Sequence, residues 1–411
     1  MQSKFISVYL LTFVNILGFS ILMPVLPFIV EEYHAPKYVY GLLLSSYSFF
    51  QFIGAPYWGR MSDSYGRKSI LIISQVGTLL SWIVFGLAYF TPSTFAGISA
   101  FPLLIIAISR ILDGITGGNN AVAEAYIADI TTPAEKRYIY SYIGGIAGLG
   151  MIVGPGLGGY ASSFSIGYLG TVIVATIIST ITTLTLFFGF QESLPVEKRR
   201  PFKNIPFMDN FNLWKKIVEL QSPQVINTTF LIKALFQTGM AFYISTIPLF
   251  IIDLFKFTQT ELGMFMLFVG GFMSFNQIFL SKRIIEKFGE HKGLQLGLLL
   301  SFVGYFSITL TDIFWLYLCL YYIMNLGISL CIPSFNTIFA KNSAPEKMGE
   351  VMGISNSIAS LAVAIFPVLG AYIYGIIGYK LYWFISVLPL ACLWIAYNSE
   401  KQTQNTHATN T

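Results

Sequence analysis

Three charged side chains occur inside one long apolar segment of this 411-residue sequence. Arg110, Asp113 and Glu124 all fall within residues 101–128. If the segment forms one helix, with about 100° between successive residues, these side chains and Asn120 share a face about 80° wide. A charge at the centre of a membrane costs about 2.5–3.5 kcal/mol, so charged residues in spans normally face a cavity and mark a path for ions or substrate. The pattern therefore predicts a proton path.

The two carboxylates of this face need not act alike. Arg110 and Asp113 are three residues apart, so the alternative for this pair is simple mutual neutralisation on one helix. Glu124 lies about 21 Å further along the helix than Arg110. It has no basic residue within four positions on its own helix. We therefore expect Glu124 to take up and release protons.

The composition indicates what must position these residues. Hydrophobic residues make up 55% of the chain and charged residues 10%, with a mean hydropathy of +0.68, whereas soluble proteins have about 25% charged residues. This predicts a polytopic membrane protein, built from α-helices because lipid offers backbone groups no hydrogen-bond partners. With about 20 apolar residues needed for each crossing, twelve spans are predicted, at about 5–30, 38–58, 69–90, 101–128, 138–162, 165–190, 226–251, 260–281, 293–311, 313–340, 349–374 and 380–398.

The spans divide into two halves of six. We assign residues 1–190 to the first half, 191–225 to a linker, 226–398 to the second half and 399–411 to a tail. Of the 24 Lys and Arg residues, 19 fall in the tails and in one set of loops, and only three in the opposite loops. Because basic residues stay on the cytoplasmic side, both termini and the linker are expected there.

Lys233, just inside the seventh span, is expected to extend to the membrane interface.

A polar stretch between spans two and three, Gly59–Lys68, predicts a short hairpin with glycines for tight turns and one acid among three bases. A weaker copy, Lys282–His291, follows the eighth span and aligns Gly66 with Gly289 at an offset of 223 residues. Later in each half, Gly154–Tyr160 matches Phe366–Tyr372 at an offset of 212. Internal duplication of this kind is typical of secondary transporters, which hold substrate near the midplane.

The hairpin and its copy resemble the signature loop of major facilitator superfamily transporters. That resemblance implies an all-α fold of twelve transmembrane helices in two pseudo-symmetric halves, and a gate in which Asp129, at the end of the fourth span, pairs with Arg67 or Arg60. The gating residues it implies are Gly59, Arg60, Asp63, Gly66, Arg67, Lys68 and Asp129. The fifth span resembles the antiporter motif of exporters, with simple packing of small residues as the alternative. The residues that carry this second resemblance are Gly150, Gly154, Pro155, Gly158 and Gly159.

Together with Gly18–Pro27 and Arg110-x-x-x-Gly114, these motifs resemble the tetracycline–proton antiporter branch of drug exporters over nearly all of the first half. Two positions depart from the pattern. Ser141 stands where that family often has a further glycine, and Asn15 stands where those antiporters carry an aspartate. An asparagine cannot carry a proton, so the proton site is expected to have moved to Asp113 and Glu124.

The sequence thus predicts a proton-coupled exporter of an amphipathic drug-like compound or metabolite. The alternatives are a metabolite–proton symporter for uptake and a non-transporting receptor. Candidate substrate contacts, for which polar packing between helices is the other explanation, are Asn15, Asn120, Gln237 and Asn325. We expect no catalytic residue, metal site, cofactor or nucleic-acid partner, and a proton gradient as energy source. The expected setting is a monomer surrounded by lipid in a bacterial-type inner membrane.

Overall fold

The computed structural model describes residues 3–95, 97–202, 213–344 and 347–409. Linker residues 203–212 lie outside this described part. The described part of the first half contains α1 (Ser3–Ser20), α2 (Leu26–Glu32), α3 (Lys37–Tyr65), α4 (Arg67–Ala88), strands β1 (Thr94–Phe95) and β2 (Ile98–Ser99), α5 (Phe101–Gly117), α6 (Asn120–Ile130), α7 (Pro133–Ala161) and α8 (Tyr168–Gly189). The two short strands pair antiparallel.

The remainder of the described chain is helical. It contains α9 (Leu213–Glu219), α10 (Gln224–Phe255), α11 (Gln259–Phe275), α12 (Lys282–Phe288), α13 (Glu290–Ser307), α14 (Phe314–Asn342), α15 (Met348–Ile377) and α16 (Leu381–Thr409). Residues Asn276–Ser281 form a π-helical segment that joins α11 to α12.

Every predicted span coincides with a helix or with consecutive helices. The first span consists of α1 and α2, the fourth of α5 and α6, and the eighth of α11, the π-helical segment and α12. Eight helical stretches of the described residues are long and apolar enough to cross a membrane, and the last of them, Met348–Glu400, contains both α15 and most of α16. The prediction of an all-α membrane protein is confirmed.

The polar stretch between the second and third spans is more compact than predicted. Helix α3 continues through Gly59 to Tyr65, and α4 begins at Arg67. The expected ten-residue hairpin is therefore wrong: a single residue, Gly66, makes the turn with φ 96°. Gly289 makes the equivalent turn between α12 and α13 with φ 85°. Glycine adopts positive φ without the steric cost of a Cβ, which explains why it occupies both positions.

The chain forms two compact units. One comprises Met1–Pro206 with Phe257–Phe268, and the other Phe207–Lys256 with Val269–Thr411. In the first, the start of α11 packs closely on α7, since a Cβ at Gly159 would lie 2.5 Å from the carbonyl oxygen of Gln259. In the second, α10 packs against α15 and α16, and α13 against α14.

Helices α3 and α5 approach each other closely enough to bring their backbones into contact. A Cβ at Gly54 would lie 2.5 Å from the carbonyl oxygen of Ile115, and one at Gly118 would lie 2.6 Å from the amide nitrogen of Ala55. Gly114 faces the carbonyl oxygen of Tyr47 and the Cβ of Phe50 in the same way. Small residues permit such contacts, which stabilise helix pairs in lipid through van der Waals packing.

Replacing the glycine at the centre of this crossing should separate the two helices. We expect Gly114→Ala to destabilise the protein by about 1–3 kcal/mol, because the added methyl group must displace backbone atoms of α3. Thermal unfolding in detergent measures the effect. Gly148→Ala is the matched control, since a Cβ at this helical glycine meets nothing within 4 Å. Equal melting temperatures for the two variants would contradict the proposed tight crossing.

Candidate functional site

Arg67 is the centre of an ion-pair cluster at the turn between α3 and α4. Its side chain is nearly completely buried, with 6% of the residue exposed. The guanidinium lies 3.0 Å from Asp129 Oδ2 at the end of α6 and 2.6 Å from Asp63 Oδ1 on α3. It also donates to the Ser62 hydroxyl at 2.6 Å. The predicted Arg67–Asp129 pair is confirmed, and one arginine connects two carboxylates from different helices.

Glu192, which the sequence analysis missed, completes this cluster. Its carboxylate accepts hydrogen bonds from the backbone N–H groups of Arg67 at 2.9 Å and Lys68 at 3.2 Å. These groups belong to the first turn of α4, whose N-cap residue, Gly66, has no side chain to cap it. A carboxylate there satisfies otherwise unpaired donors and complements the positive end of the helix dipole. The only sequence signal was an acid directly after the sixth span.

The segment that follows α8 makes two more contacts with the same cluster. The Ser193 hydroxyl donates to Asp129 Oδ2 at 3.1 Å. The backbone N–H of Arg200 donates to the Asp63 carbonyl oxygen at 3.0 Å. The start of the linker is thus folded onto the turn at Gly66. We name the group Asp63, Arg67, Asp129 and Glu192 the first cluster.

An ion pair with exchanged charges occupies the equivalent place in the second half. The offset of 223 residues relates Arg67 to Glu290, and the offset of 212 relates Asp129 to Lys341. Glu290, the first residue of α13, and Lys341, near the end of α14, form an ion pair of 2.8 Å. In each half, an ion pair therefore connects the start of the helix that follows the turn to the end of the next span. The signs of the two charges are reversed between the halves.

The fourth span is interrupted, which separates its charged residues. Helix α5 ends at Gly117 and α6 begins at Asn120, so the expected single face of one continuous helix is wrong. Arg110 and Asp113 lie on α5, both nearly completely buried, and form an ion pair of 3.1 Å. Glu124 lies on α6, beyond the interruption, and is exposed. The three residues therefore do not form one group.

The Arg110–Asp113 pair packs against the neighbouring helices rather than lining an open space. The guanidinium carbon lies 4.8 Å from the ring centre of Trp82 and 5.4 Å from that of Phe85, both on α4. A third ring, that of Tyr47 on α3, lies 5.9 Å away. Such cation–π contacts favour a desolvated arginine. The geometry matches mutual neutralisation, the alternative considered above, and the part of this pair in a proton path stays a prediction.

Amide side chains meet at the interruption of the fourth span. Asn15 on α1 donates to Asn119 Oδ1 at 2.7 Å and to Asn120 Oδ1 at 2.8 Å. Asn119, which was not predicted, donates in turn to the Ser74 hydroxyl on α4 at 2.9 Å. Gln51 donates to the carbonyl oxygen of Gly117, where α5 ends. Two candidate substrate contacts, Asn15 and Asn120, are thus brought together, and Asn120 is the more accessible of the two.

The two candidates from the second half differ in their surroundings. Asn325 is buried and accepts a hydrogen bond from Asn276 at 3.2 Å while donating to the carbonyl oxygen of Val269. Tyr322 donates to Asn276 at 2.8 Å, so this group holds α14 to the π-helical segment. Gln237 is half-buried on α10. Asn325 therefore acts in helix packing in this structure, whereas Gln237 is only half-buried.

The ammonium group of Lys233 packs against α14 and α15, and its extension to the membrane interface stays a prediction. Its ammonium group donates to the Ser355 hydroxyl on α15 and lies 6.0 Å from the ring centre of Phe335 and 5.8 Å from that of Phe339. All three partners are essentially inaccessible. The sequence did not predict these partners, because hydropathy gives the depth of a residue along a helix but not the direction of its side chain.

The glycines of the fifth span form a stripe along α7 that faces α1. A Cβ at Gly154 would collide with the Ser20 hydroxyl, and one at Gly158 with the carbonyl oxygen of Ile21. The Ser20 hydroxyl donates to the Gly150 carbonyl oxygen at 2.9 Å. The other side of the motif faces α11, where a Cβ at Gly263 would lie 2.6 Å from the Pro155 carbonyl oxygen. The motif thus allows α7 to contact two helices backbone to backbone.

Comparison with known proteins gives consistent results. The chain is 26% identical over 426 residues to tetracycline resistance protein class H of Pasteurella multocida, covering 98% of both chains. It is 28% identical over 376 residues to multidrug resistance protein 2 of Bacillus subtilis (strain 168), covering 91% of this chain and 90% of that protein. The solved structure of a D-xylose-proton symporter aligns with a TM-score of 0.74 at 16% identity, covering 96% of each chain.

The last comparison establishes the fold alone, because the sequence identity is low. The family model of the Major Facilitator Superfamily matches residues 8–367. That match includes the first cluster, the stripe on α7 and the turn at Gly289, which were described above. The chain belongs to the Major Facilitator Superfamily.

Proposed function

We propose that this transporter exports amphipathic organic compounds in exchange for protons by alternating access. The observation that carries the proposal is the stripe of Gly150, Gly154 and Gly158, which packs backbone to backbone on α1 and resembles the antiporter motif of exporters. The names of the tetracycline and multidrug resistance relatives support the same direction of transport. The cargo is a small drug-like molecule or metabolite, and the proton gradient supplies the energy without a cofactor or catalytic chemistry.

Glu124 is the proton carrier in this proposal. It is an accessible carboxylate on α6, a helix of the fourth span. Acidic residues inside spans commonly mark proton relays. Arg110 and Asp113 belong to the same path as a buried pair that holds charge near the interruption of the span. Asn15 and Asn120, which meet at this interruption, are polar contacts for the cargo, and Gln237 is another.

The first cluster forms the gate. Arg67 joins α4 to both α3 and α6 through its two carboxylate partners. Breaking these pairs would free the turn at Gly66, with Gly59, Arg60 and Lys68 on either side of it. Because the pairs connect separate helices, they stabilise one arrangement of the helix ends over another, which is what a two-state gate requires.

The alternative is proton-coupled uptake, in which the same helices carry a metabolite inwards. The incomplete antiporter motif favours it, because Ser141 stands where exporters of this family often have a further glycine. The shared fold of the D-xylose-proton symporter is compatible with either direction. A non-transporting receptor would move no substrate at all. Direct flux measurements separate the three.

Flux driven by a proton gradient tests the proposed function. In proteoliposomes with an imposed ΔpH, we expect the wild-type protein to concentrate a fluorescent amphipathic compound against its gradient. Glu124→Gln preserves size and hydrogen bonding but removes titration. We expect this variant still to bind and exchange the compound. It should lose at least about 90% of its ΔpH-driven accumulation, because without a proton carrier the proton gradient cannot drive the conformational change.

Two variants serve as controls for Glu124→Gln. Glu197→Gln changes a carboxylate in an exposed linker turn and should leave accumulation unaltered. If Asp113 chiefly neutralises Arg110, Asp113→Asn should lower the melting temperature more than the coupling, because it leaves the buried Arg110 without its ion-pair partner. Undiminished ΔpH-driven accumulation by Glu124→Gln would remove this residue from the mechanism.

A double-mutant cycle tests the gate. We expect Arg67→Gln and Asp129→Asn to slow transport individually, and the double variant to be less impaired than the sum of the two. Contacting charges typically show a coupling of about 0.5–3 kcal/mol, which is obtained here from the ratios of transport rates. The matched control is the exposed pair Lys215–Glu219, separated by 3.8 Å, for which additive effects are expected. Additive losses at Arg67 and Asp129 would contradict the gate, because they would show that the two residues act independently in transport.

Both termini and the linker are cytoplasmic in this proposal, with the chain a monomer surrounded by lipid in a bacterial-type inner membrane. A cysteine at Glu197, introduced after replacement of Cys319, Cys331 and Cys392, reports the side of the linker. We expect it to resist membrane-impermeant thiol reagents in intact cells and to react once the membrane is opened, because 19 of the 24 basic residues lie on the same side. Labelling in intact cells would reverse the orientation.

A further inference from the structure

Lys233 is a positive charge held inside the second unit by uncharged neighbours. It lies nine residues after the start of α10, and its ammonium group contacts Ser355 of α15 and two phenylalanine rings of α14. Ser355 and Phe339 have no exposed surface and Phe335 has 1%. Charged residues within membrane-spanning helices are rare and normally mark a function.

The contrast with Arg110 shows what Lys233 lacks. Arg110 combines three aromatic rings with a carboxylate, that of Asp113. Lys233 has two rings and a hydroxyl group, and among the ion pairs of the described residues none includes it. An ammonium group has three N–H donors, of which the Ser355 hydroxyl accepts one. Both its charge and its remaining donors are therefore available to an anion.

Lys233 is also accessible on one side. It is half-buried, although the three side chains that it contacts are essentially inaccessible. Gln237 follows one helical turn later on α10 and is half-buried as well. Residues four apart lie on the same face of a helix. This face of α10 thus carries two half-buried donor side chains, the ammonium of Lys233 and the amide of Gln237 with its two donors.

We propose that Lys233 and Gln237 bind a negatively charged group of the cargo, a carboxylate or another oxyanion. The ammonium supplies the counter-charge and the amide a second donor. The proposal rests on the proposed function, since it defines the cargo of that transport as organic anions or zwitterions. Lys233 is then a specificity-determining residue. Ser355 is a positioning residue that holds the ammonium group between α14 and α15.

Two fluorescent dyes that share a xanthene core and differ in charge test the site. The anionic dye is carboxyfluorescein, and the cationic one is the methyl ester of tetramethylrhodamine. Fluorescence polarisation measures their binding to the purified full-length protein, and proteoliposomes measure their transport. We expect Lys233→Gln to weaken carboxyfluorescein binding at least about tenfold, the usual effect of losing a hydrogen bond to a charged group. Binding of the cationic dye should change by less than about twofold.

Further variants separate a binding role from a structural one. Lys233→Arg keeps the charge and should retain carboxyfluorescein affinity within about threefold. Gln237→Leu should weaken the anionic dye alone. Lys215→Gln, which removes an exposed lysine from α9, should change neither dye. Unaltered binding of the cationic dye also verifies that each variant is folded.

The outcomes distinguish this inference from the proposed function. Equal loss of both dyes in Lys233→Gln, or a wild-type protein that does not bind carboxyfluorescein, would overturn the anion site even if the cationic dye is exported. Conversely, Lys233-dependent binding of carboxyfluorescein without ΔpH-driven movement of either dye would refute proton-coupled export and leave the anion site in place.

Discussion

Hydrocarbon offers no hydrogen-bond partners to a polypeptide, and the structure of this transporter depends on that constraint. Each span must satisfy its backbone groups internally, which restricts it to helix. At the interruption of the fourth span between Gly117 and Asn120, a side chain from α3 supplies a partner to the backbone. Gln51 donates to the carbonyl oxygen of Gly117, and Asn15, Asn119 and Ser74 form a chain of hydrogen bonds beside it. The polar site is thus located where the helix is broken.

The same constraint explains how the charges inside the membrane are arranged. Arg110 is stabilised by a carboxylate one turn away and by the rings of α3 and α4. Lys233 has rings and a hydroxyl group instead. Glu124 remains accessible on α6. Lys233 therefore has fewer compensating partners than Arg110, and its charge is the more available of the two to a cargo.

Most of the fold could be predicted from the sequence, because a stretch of about 20 apolar residues has few alternatives to a membrane-spanning helix. The repeat at Gly66 and Gly289 was visible for a related reason, since positive φ selects glycine. The functional site was harder to predict from the sequence. An ideal helical projection placed Glu124 on the same face as Asp113. The Gly-Gly-Asn-Asn sequence at residues 117–120, which interrupts the span, was not recognised. Glu192 was missed because its partners are 124 and 125 residues away. Contacts at that separation are fixed by packing, which periodicity does not encode.

The exchanged signs of the Arg67–Asp129 and Glu290–Lys341 pairs make the two halves electrostatically distinct. During membrane insertion, either turn could in principle associate with the end of the fourth or the tenth span, because the halves share one architecture. A mismatched association would bring Arg67 against Lys341 and Glu290 against Asp129, and like charges in contact repel each other. The charges of Arg67 and Glu290 therefore favour the helix end of their own half. The reversed polarity thus disfavours pairing of either turn with the helix end of the other half while the duplicated chain assembles.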